Sequence, residues 1–102
     1  MSTLHTINKS PYTNSALASC AKICAASDAI LLLEDGVLGA VKSSPQAEAL
    51  KQLIQRGTRV FAISVDIKAR GLSERLLESI ELIDYDDFVQ LTIEHRCIQS
   101  WY

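Results

Sequence analysis

The chain has 102 residues, of which 48% are hydrophobic and 22% are charged, and its formal net charge is -2. Single domains most often contain roughly 100–150 residues, so we expect one domain over residues 1–102. The slightly acidic charge disfavours direct nucleic-acid binding, because proteins that bind nucleic acids normally carry a basic excess.

The start of the chain and its apolar runs bear on localisation. Residues 1–8 contain neither the basic segment nor the long apolar segment of a signal peptide. The longest apolar run, residues 29–33, is far too short to span a bilayer. We therefore expect a cytoplasmic protein that does not enter the membrane, in which Cys20, Cys24 and Cys97 are free thiols.

Apolar runs alternate with amphipathic segments in the first third of the chain. Residues 4–7 predict a short strand and residues 15–26 a helix. Residues 29–33 are apolar throughout, which is typical of a strand covered on both faces of a parallel sheet. The apolar positions of the helix share one face, and they are Ala16, Leu17, Cys20, Ile23 and Cys24.

The remaining elements continue this alternation. The predicted segments are a helical turn at 37–41, a helix opened by Ser44-Pro45 and closed by Gly57, a strand at 59–64, a short helix at 66–70, a strand at 80–83, a helix at 84–95 and a strand at 97–101. The expected inner face of the last helix consists of Phe88, Val89, Leu91 and Thr92. Strands that alternate with helices predict an α/β fold, here a three-layer α/β/α sandwich with a small, mainly parallel sheet of four or five strands.

Two cysteines and two histidines are candidate metal ligands. Cys20 and Cys24 are four residues apart on a predicted helix, so they could offer two thiolates to zinc. Zinc needs two further ligands, and His5 and His95 are distant in sequence with no partner spacing. We therefore expect no metal and no cofactor, and a packed, hydrogen-bonded role for His5.

Several acidic residues lie near the predicted carboxyl ends of strands, where open α/β sheets usually place ligand sites. They are Glu34, Asp35, Asp66, Asp84, Asp86 and Asp87. Helix capping and solvated turns also account for them. The alternative is a stand-alone α/β module that binds a small anion or nucleotide at the strand ends near Glu34 and Asp35.

Five segments, in register along nearly the whole chain, resemble the DsrH/TusB family. They are residues 4–11 (LHTINKSP), 31–37 (LLLEDGV), 66–72 (DIKARGL), 83–92 (IDYDDFV followed by Leu91 and Thr92) and 99–101 (QSW). The resemblance implies a DsrEFH-like fold and a subunit of a cytoplasmic sulfur-relay complex, a hexamer with two copies each of this chain, a DsrE/TusD-like chain and a DsrF/TusC-like chain.

Such a complex takes persulfide sulfur from sulfur-carrier proteins. The resemblance implies either tRNA wobble-uridine 2-thiolation, as for TusB-like chains, or sulfur oxidation, as for DsrH-like chains. It also implies that the principal sulfur-carrying cysteine lies on a partner, so that this chain is a non-catalytic or accessory subunit. A cysteine at the position of Cys20 is typical of the DsrH branch and favours that branch.

Cys20 is the candidate persulfide carrier, since persulfide transfer needs a reachable thiolate. It also lies on the apolar stripe with Leu17 and Cys24, so a small core residue is an equal interpretation. Four aromatic residues, Trp101, Tyr102, Tyr12 and Tyr85, are candidates for a subunit interface, where aromatic residues are enriched. Trp101 could also pack on the sheet, and both interpretations can hold at once.

Overall fold

The structure is a computed structural model that describes residues 2–101. Its elements in chain order are β1 (Thr3–Ile7), α1 (Ala16–Ile23), β2 (Ala29–Leu32), a 3-10 helix (Glu34–Ala40), α2 (Ala47–Gln55), β3 (Arg59–Ile63), α3 (Ser64–Ala69), β4 (Glu81–Ile83), α4 (Tyr85–Glu94) and β5 (Cys97–Trp101).

Within these residues the strands form one sheet of five strands in the order β4-β3-β2-β1-β5. Every neighbouring pair is parallel. Three strands follow β1 towards one edge, and the chain then returns to place β5 on the other side of β1. The predicted α/β fold with a small, mainly parallel sheet is confirmed.

The two faces of the sheet carry separate apolar cores because successive side chains of a strand point to opposite faces. On the α1 and α2 side, the largest fully buried residues include Ile7, Leu17, Ile30 and Leu50. On the α4 side, the core residues are Leu4, Ala29, Leu31, Phe61, Ile63 and Leu91. Since β2 and β3 are buried on both faces, their apolar runs are continuous rather than alternating.

Two residues predicted to face the core are exposed. Ile23 is 66% exposed and Val89 is 58% exposed. Each lies at the border of the apolar stripe of its helix, next to the residues that contact the sheet. The predicted inner faces of α1 and α4 are therefore wrong at these two positions.

Several element ends also differ from the sequence prediction. Helix α2 begins at Ala47, because the Ser44 hydroxyl accepts a hydrogen bond from the Gln46 N–H at 3.1 Å and holds Ser44-Pro45 in a preceding turn. Helix α1 ends at Ile23, since Cys24 has extended dihedral angles. A hydrogen bond from a nearby backbone N–H to a side chain, such as that of Ser44, competes with helix formation.

Gly36 allows the segment after β2 to close onto the end of β1. The Ile7 carbonyl accepts a hydrogen bond from the Leu33 N–H at 3.0 Å. A Cβ atom on Gly36 would lie 2.0 Å from that carbonyl oxygen. The backbones approach so closely that no side chain fits. This contact positions Glu34 and Asp35 at the carboxyl end of β2.

Replacement of Gly36 by alanine should lower the free energy of unfolding by about 3 kcal/mol or more, because a backbone atom cannot move aside as a flexible side chain can. Gly71→Ala is the matched control: its added Cβ meets nothing within 4 Å, and only its positive φ of 65° opposes the change. It should cost about 1 kcal/mol. Urea unfolding of the three proteins measures both values, and equal losses would contradict the close approach at Gly36.

Candidate functional site

Two of the three thiols lie between α1 and the sheet. Cys20 is fully buried and Cys24 is 5% exposed. Cys97, the first residue of the edge strand β5, is exposed. The thiol predicted to carry a persulfide is therefore the least accessible of the three in this conformation.

The two buried thiols influence each other's ionisation. A hydrogen bond to Cys24, together with burial, raises the pKa of the Cys20 thiol far above its ordinary value. The same hydrogen bond lowers the pKa of Cys24 and outweighs the opposing effects of burial and of Asp28. Cys24 therefore ionises at a lower pH than Cys20. Since only a thiolate attacks a sulfur, Cys20 is the less reactive of the two thiols.

The persulfide-carrier role of Cys20 stays a prediction. Its sulfur is covered by the sheet, so a donor protein could reach it only if α1 moved away. The stripe that Cys20 shares with Leu17 and Cys24 belongs to the apolar core on this side of the sheet.

Beside these thiols, His5 forms a buried hydrogen-bonded group with Asp28 and Trp101. The indole N–H of Trp101 donates to His5 Nδ1 at 3.1 Å. Since an indole N–H can only donate, Nδ1 is the acceptor nitrogen and the proton is on Nε2. Nε2 then donates to the Asp28 carboxylate, which lies 2.9 Å away. The prediction that His5 is packed and hydrogen-bonded agrees with this arrangement.

The Asp28 carboxylate holds this group together with the backbone. It also accepts hydrogen bonds from the Thr3 N–H at 3.0 Å and from the Ala25 N–H at 3.1 Å. Burial alone would raise the pKa of Asp28, but the hydrogen bonds from His5, Ala25 and Thr3 outweigh it and lower that pKa. The carboxylate is thus ionised and links the segment after α1 to the start of β1.

The fold brings His5, Cys24 and Asp28 together, with one potential ligand atom of each within 4.8 Å of the others. The hydrogen bonds of His5 compete with metal binding. A metal on Nε2 would require the proton on Nδ1, where it would face the donating indole N–H of Trp101. The donor set is thus better suited to the hydrogen-bonded group than to zinc.

Four of the six acidic residues at the carboxyl ends of the strands form caps, hydrogen bonds or ion pairs. Asp84 and Asp87 form a capping box at the start of α4. Asp66 accepts hydrogen bonds from the Glu34 N–H at 2.8 Å and from the Tyr85 hydroxyl at 3.1 Å. Arg70 pairs with Asp35 at 2.9 Å. These contacts agree with the capping interpretation of the acids.

Of the four aromatic residues proposed for an interface, Tyr102 lies outside the described residues, and the other three differ in burial. Trp101 is half-buried and packs against the core on the α1 side, as well as donating to His5. Tyr12 and Tyr85 are exposed. The packing interpretation of Trp101 is therefore correct.

Comparison with known proteins identifies the family. A family model described as "DsrH like protein" matches residues 9–98. Protein TusB of Escherichia coli K12 is 37% identical over 98 residues, which cover 96% of this chain and 99% of that protein. Protein TusB of Shigella flexneri matches equally well. The chain belongs to the DsrH family.

The fold of this DsrH-family chain is also found in solved structures of low sequence identity. The ychN protein of E. coli superposes with a TM-score of 0.83 at 15% identity, covering 99% of this chain and 100% of that one. MTH1491 of Methanobacterium thermoautotrophicum gives a TM-score of 0.74 at 18% identity, with 96% and 97% coverage. At these identities the likeness concerns the fold alone.

The helices of this chain bear on the predicted absence of a membrane span. Among the helices within residues 2–101, none is both long and apolar enough to cross a bilayer. The cytoplasmic localisation stays a prediction.

Sequence reasoning did not assign Asp28 or Trp101 to the His5 group. A signal for Asp28 existed: it immediately precedes β2, and β1 and β2 start side by side, with Leu4 opposite Ala29. In parallel neighbours that begin together, the residue before one strand lies next to the first residues of the other. Trp101 could be placed only after β5 was known to pair with β1.

Replacement of Asp28 by asparagine should lower the free energy of unfolding by about 2 kcal/mol at neutral pH, because His5 and two backbone N–H groups lose a charged acceptor. The pKa of Asp28 is lowered in the folded state, so its contribution is complete above the ordinary value of 3.8 and is lost as the pH falls through the lower folded value.

The difference between the wild type and Asp28→Asn should therefore shrink in acid. Urea unfolding at a series of pH values measures this difference. Asp86→Asn, at an exposed position, is the control and should change stability by at most about 0.5 kcal/mol. A difference that stayed constant down to strongly acidic pH would show that the Asp28 charge does not stabilise the fold.

Proposed function

We propose that this chain is an accessory subunit of a cytoplasmic sulfur-relay complex, in which it acts as one domain that binds a DsrE/TusD-like and a DsrF/TusC-like chain in a hexamer with two copies of each. The observation that carries the proposal is membership in the DsrH family over residues 9–98. An accessory role is supported by the burial of Cys20 and Cys24, because an acceptor of persulfide sulfur needs an exposed thiolate.

Two observations favour different pathways. The curated relatives described above are named Protein TusB, which favours the delivery of sulfur for tRNA wobble-uridine 2-thiolation. A cysteine at position 20 is typical of the DsrH branch, which favours a role in sulfur oxidation. The identity over almost the full length outweighs one position, so we favour the TusB-like role. The chain itself, with a net charge of -2, is not expected to bind the tRNA.

Exposed apolar residues on the α4 side of the sheet support the binding of partner chains. Val89 and Ile93 lie one turn apart on α4, and Ile93 is 71% exposed. Ile98 on β5 is 44% exposed and points to the same side, since it pairs with Leu4 of the α4-side core. We call Val89, Ile93 and Ile98 the α4 apolar surface. Apolar residues of this kind are typical of the buried centre of an interface.

The stand-alone module for a small anion or nucleotide receives less support. Near Glu34 and Asp35, the Arg70 guanidinium is already paired with Asp35 and lies 3.9 Å from Asp66. The surrounding charges are thus mainly negative and would repel an anion.

Assembly tests the proposed function directly. When the chain is co-expressed with the DsrE/TusD-like and DsrF/TusC-like chains of the same organism, native mass spectrometry should find a hexamer with two copies of each. Ile93→Glu should weaken assembly at least about tenfold, because a charge would enter an apolar contact. It should leave the thermal stability of the isolated chain unchanged, since Ile93 is exposed there.

Ile23→Glu is the matched control, an exposed isoleucine on α1 at the opposite face of the sheet. It should assemble like the wild type. Failure of the wild type to bind either partner chain would contradict the proposed function. Loss of assembly with Ile23→Glu alone would contradict the assignment of the interface to the α4 apolar surface.

Peptide mapping after exposure to a persulfidated sulfur-carrier protein tests the candidate carrier. If Cys20 takes part in the relay, the peptide containing it gains the mass of one sulfur atom within the complex, and Cys20→Ser abolishes this gain without preventing assembly. Cys97→Ser is the control, because Cys97 is exposed and can react merely by being accessible. Sulfur found on a partner chain and absent from Cys20 would exclude the carrier role of Cys20.

A further inference from the structure

Cys20 and Cys24 form a pair of thiols at the end of α1. Cys20 lies in the last turn of the helix, and Cys24 is the first residue after it. The Cys24 N–H donates to the Cys20 carbonyl at 2.9 Å, so the two residues keep the spacing of one helical turn. Side chains at this spacing lie one above the other, and these two share a hydrogen bond. Their sulfur atoms are therefore immediate neighbours.

The hydrogen bonds of this pair run from the core towards the surface. The Cys24 thiol donates to the Ala25 carbonyl, with 3.6 Å between the sulfur and the oxygen. Since a thiol has one proton, the Cys24 sulfur is the acceptor for the Cys20 thiol. Cys20 is fully buried, whereas Ala25 is exposed. The ends of helices open locally at little cost, so a small ion can reach both sulfurs from the Cys24 end.

The charges around the pair favour a cation between the two sulfurs. The Asp28 carboxylate and the Cys24 sulfur belong to a group of potential ligand atoms that lie within 4.8 Å of one another. Arg56 supplies a positive charge nearby, and its guanidinium donates to the Cys24 carbonyl at 3.4 Å. Metal binding requires both thiols to lose their protons. Two thiolates beside Asp28 exceed the single charge of Arg56, so a bound cation is needed to balance them.

The number of available donors decides which cation fits. Zinc usually takes four ligands in a tetrahedral arrangement. His5 and Asp28 lie close to Cys24, but they bond each other at 2.9 Å, and His5 also accepts from Trp101. Soft thiolates select Cu(I), and this cuprous ion is satisfied by two of them in a linear arrangement. The thiol pair therefore matches Cu(I) without a contribution from the His5 group.

We propose that Cys20 and Cys24 bind one cuprous ion, and we call these two residues the thiol-pair site. Two S–H bonds break, two Cu–S bonds form, and both protons pass to solvent. Copper and sulfur keep their oxidation states, so no oxidant or reductant takes part. The hydrogen bonds of His5 to Asp28 and Trp101 stay intact. The inference concerns the chain by itself and does not depend on the proposed sulfur-relay function.

Competition with bicinchoninate, a chelator of Cu(I), tests the proposal on the full-length chain in the absence of oxygen. The wild type should take one Cu(I) per chain from the chelator. Cys20→Ala and Cys24→Ala should each weaken binding at least about a hundredfold, because one soft ligand remains. Cys97→Ala removes the exposed thiol and is the matched control, which should bind like the wild type.

Circular dichroism confirms that each variant is folded. A wild type that takes no Cu(I) from the chelator would overturn the proposal. So would a loss of affinity in Cys97→Ala as large as that in Cys20→Ala, because the exposed thiol would then be a ligand.

X-ray absorption of the copper-loaded wild type gives a second readout that needs no variant. It should find two sulfur neighbours around the ion. A nitrogen neighbour would show that His5 has left its hydrogen bonds, and a third sulfur would show that Cys97 or another chain takes part; either result would overturn the thiol-pair site. The indole N–H signal of Trp101, the single tryptophan, should keep its position in the ¹H–¹⁵N spectrum on loading, since His5 remains its acceptor.

Zinc separates the thiol-pair site from a larger metal cluster that includes the His5 group. The wild type should not take zinc from the colorimetric chelator pyridylazoresorcinol, because two sulfurs leave the other tetrahedral positions unfilled. Uptake of zinc that is lost in both Cys24→Ala and Asp28→Asn would show that Asp28 joins the ligands. That result would overturn the assignment to Cu(I), whereas uptake of Cu(I) alone supports it.

Discussion

The imidazole of His5, buried on strand β1 between β2 and β5, requires a hydrogen-bond partner on each nitrogen. Asp28 satisfies Nε2 from the segment before β2, and Trp101 satisfies Nδ1 from the end of β5. One side chain thus ties three neighbouring strands together. A buried polar group without partners is costly, so an arrangement that displaced β2 or β5 relative to β1 would be penalised by more than its lost apolar contacts.

The buried thiols and the acidic residues lie in different parts of the parallel sheet. The buried thiols, Cys20 and Cys24, lie beside the His5 group, where the hydrogen bond to Cys24, together with burial, raises the pKa of Cys20. The acids lie at the carboxyl ends of the strands, where Gly36 lets the 3-10 helix close on β1. A subunit built in this way can contribute surfaces to a relay while its own thiols stay covered, which is the basis of the accessory role proposed above.

Much of the fold could be predicted from patterns within short segments. The continuous apolar runs of β2 and β3 identified buried parallel strands, because such strands are covered on both faces. The family was recognised from five segments in order, and the match over residues 9–98 confirms it. The errors fell at the borders of apolar stripes, at Ile23 and Val89, and at the start of α2. At such positions the helical period allows either orientation, and neighbouring elements decide between them.

The sequence by itself determined the type and order of the elements, the family, and the position of Cys20 on an apolar stripe. Only the tertiary structure decided that this stripe faces the core, and that His5 meets Asp28 and Trp101, 23 and 96 residues away along the chain. The reason is physical: periodicity records contacts between residues three or four positions apart, whereas the neighbours of a strand depend on the strand order. Parallel connections permitted β5 on either side of the sheet, and its place beside β1 created the His5 group.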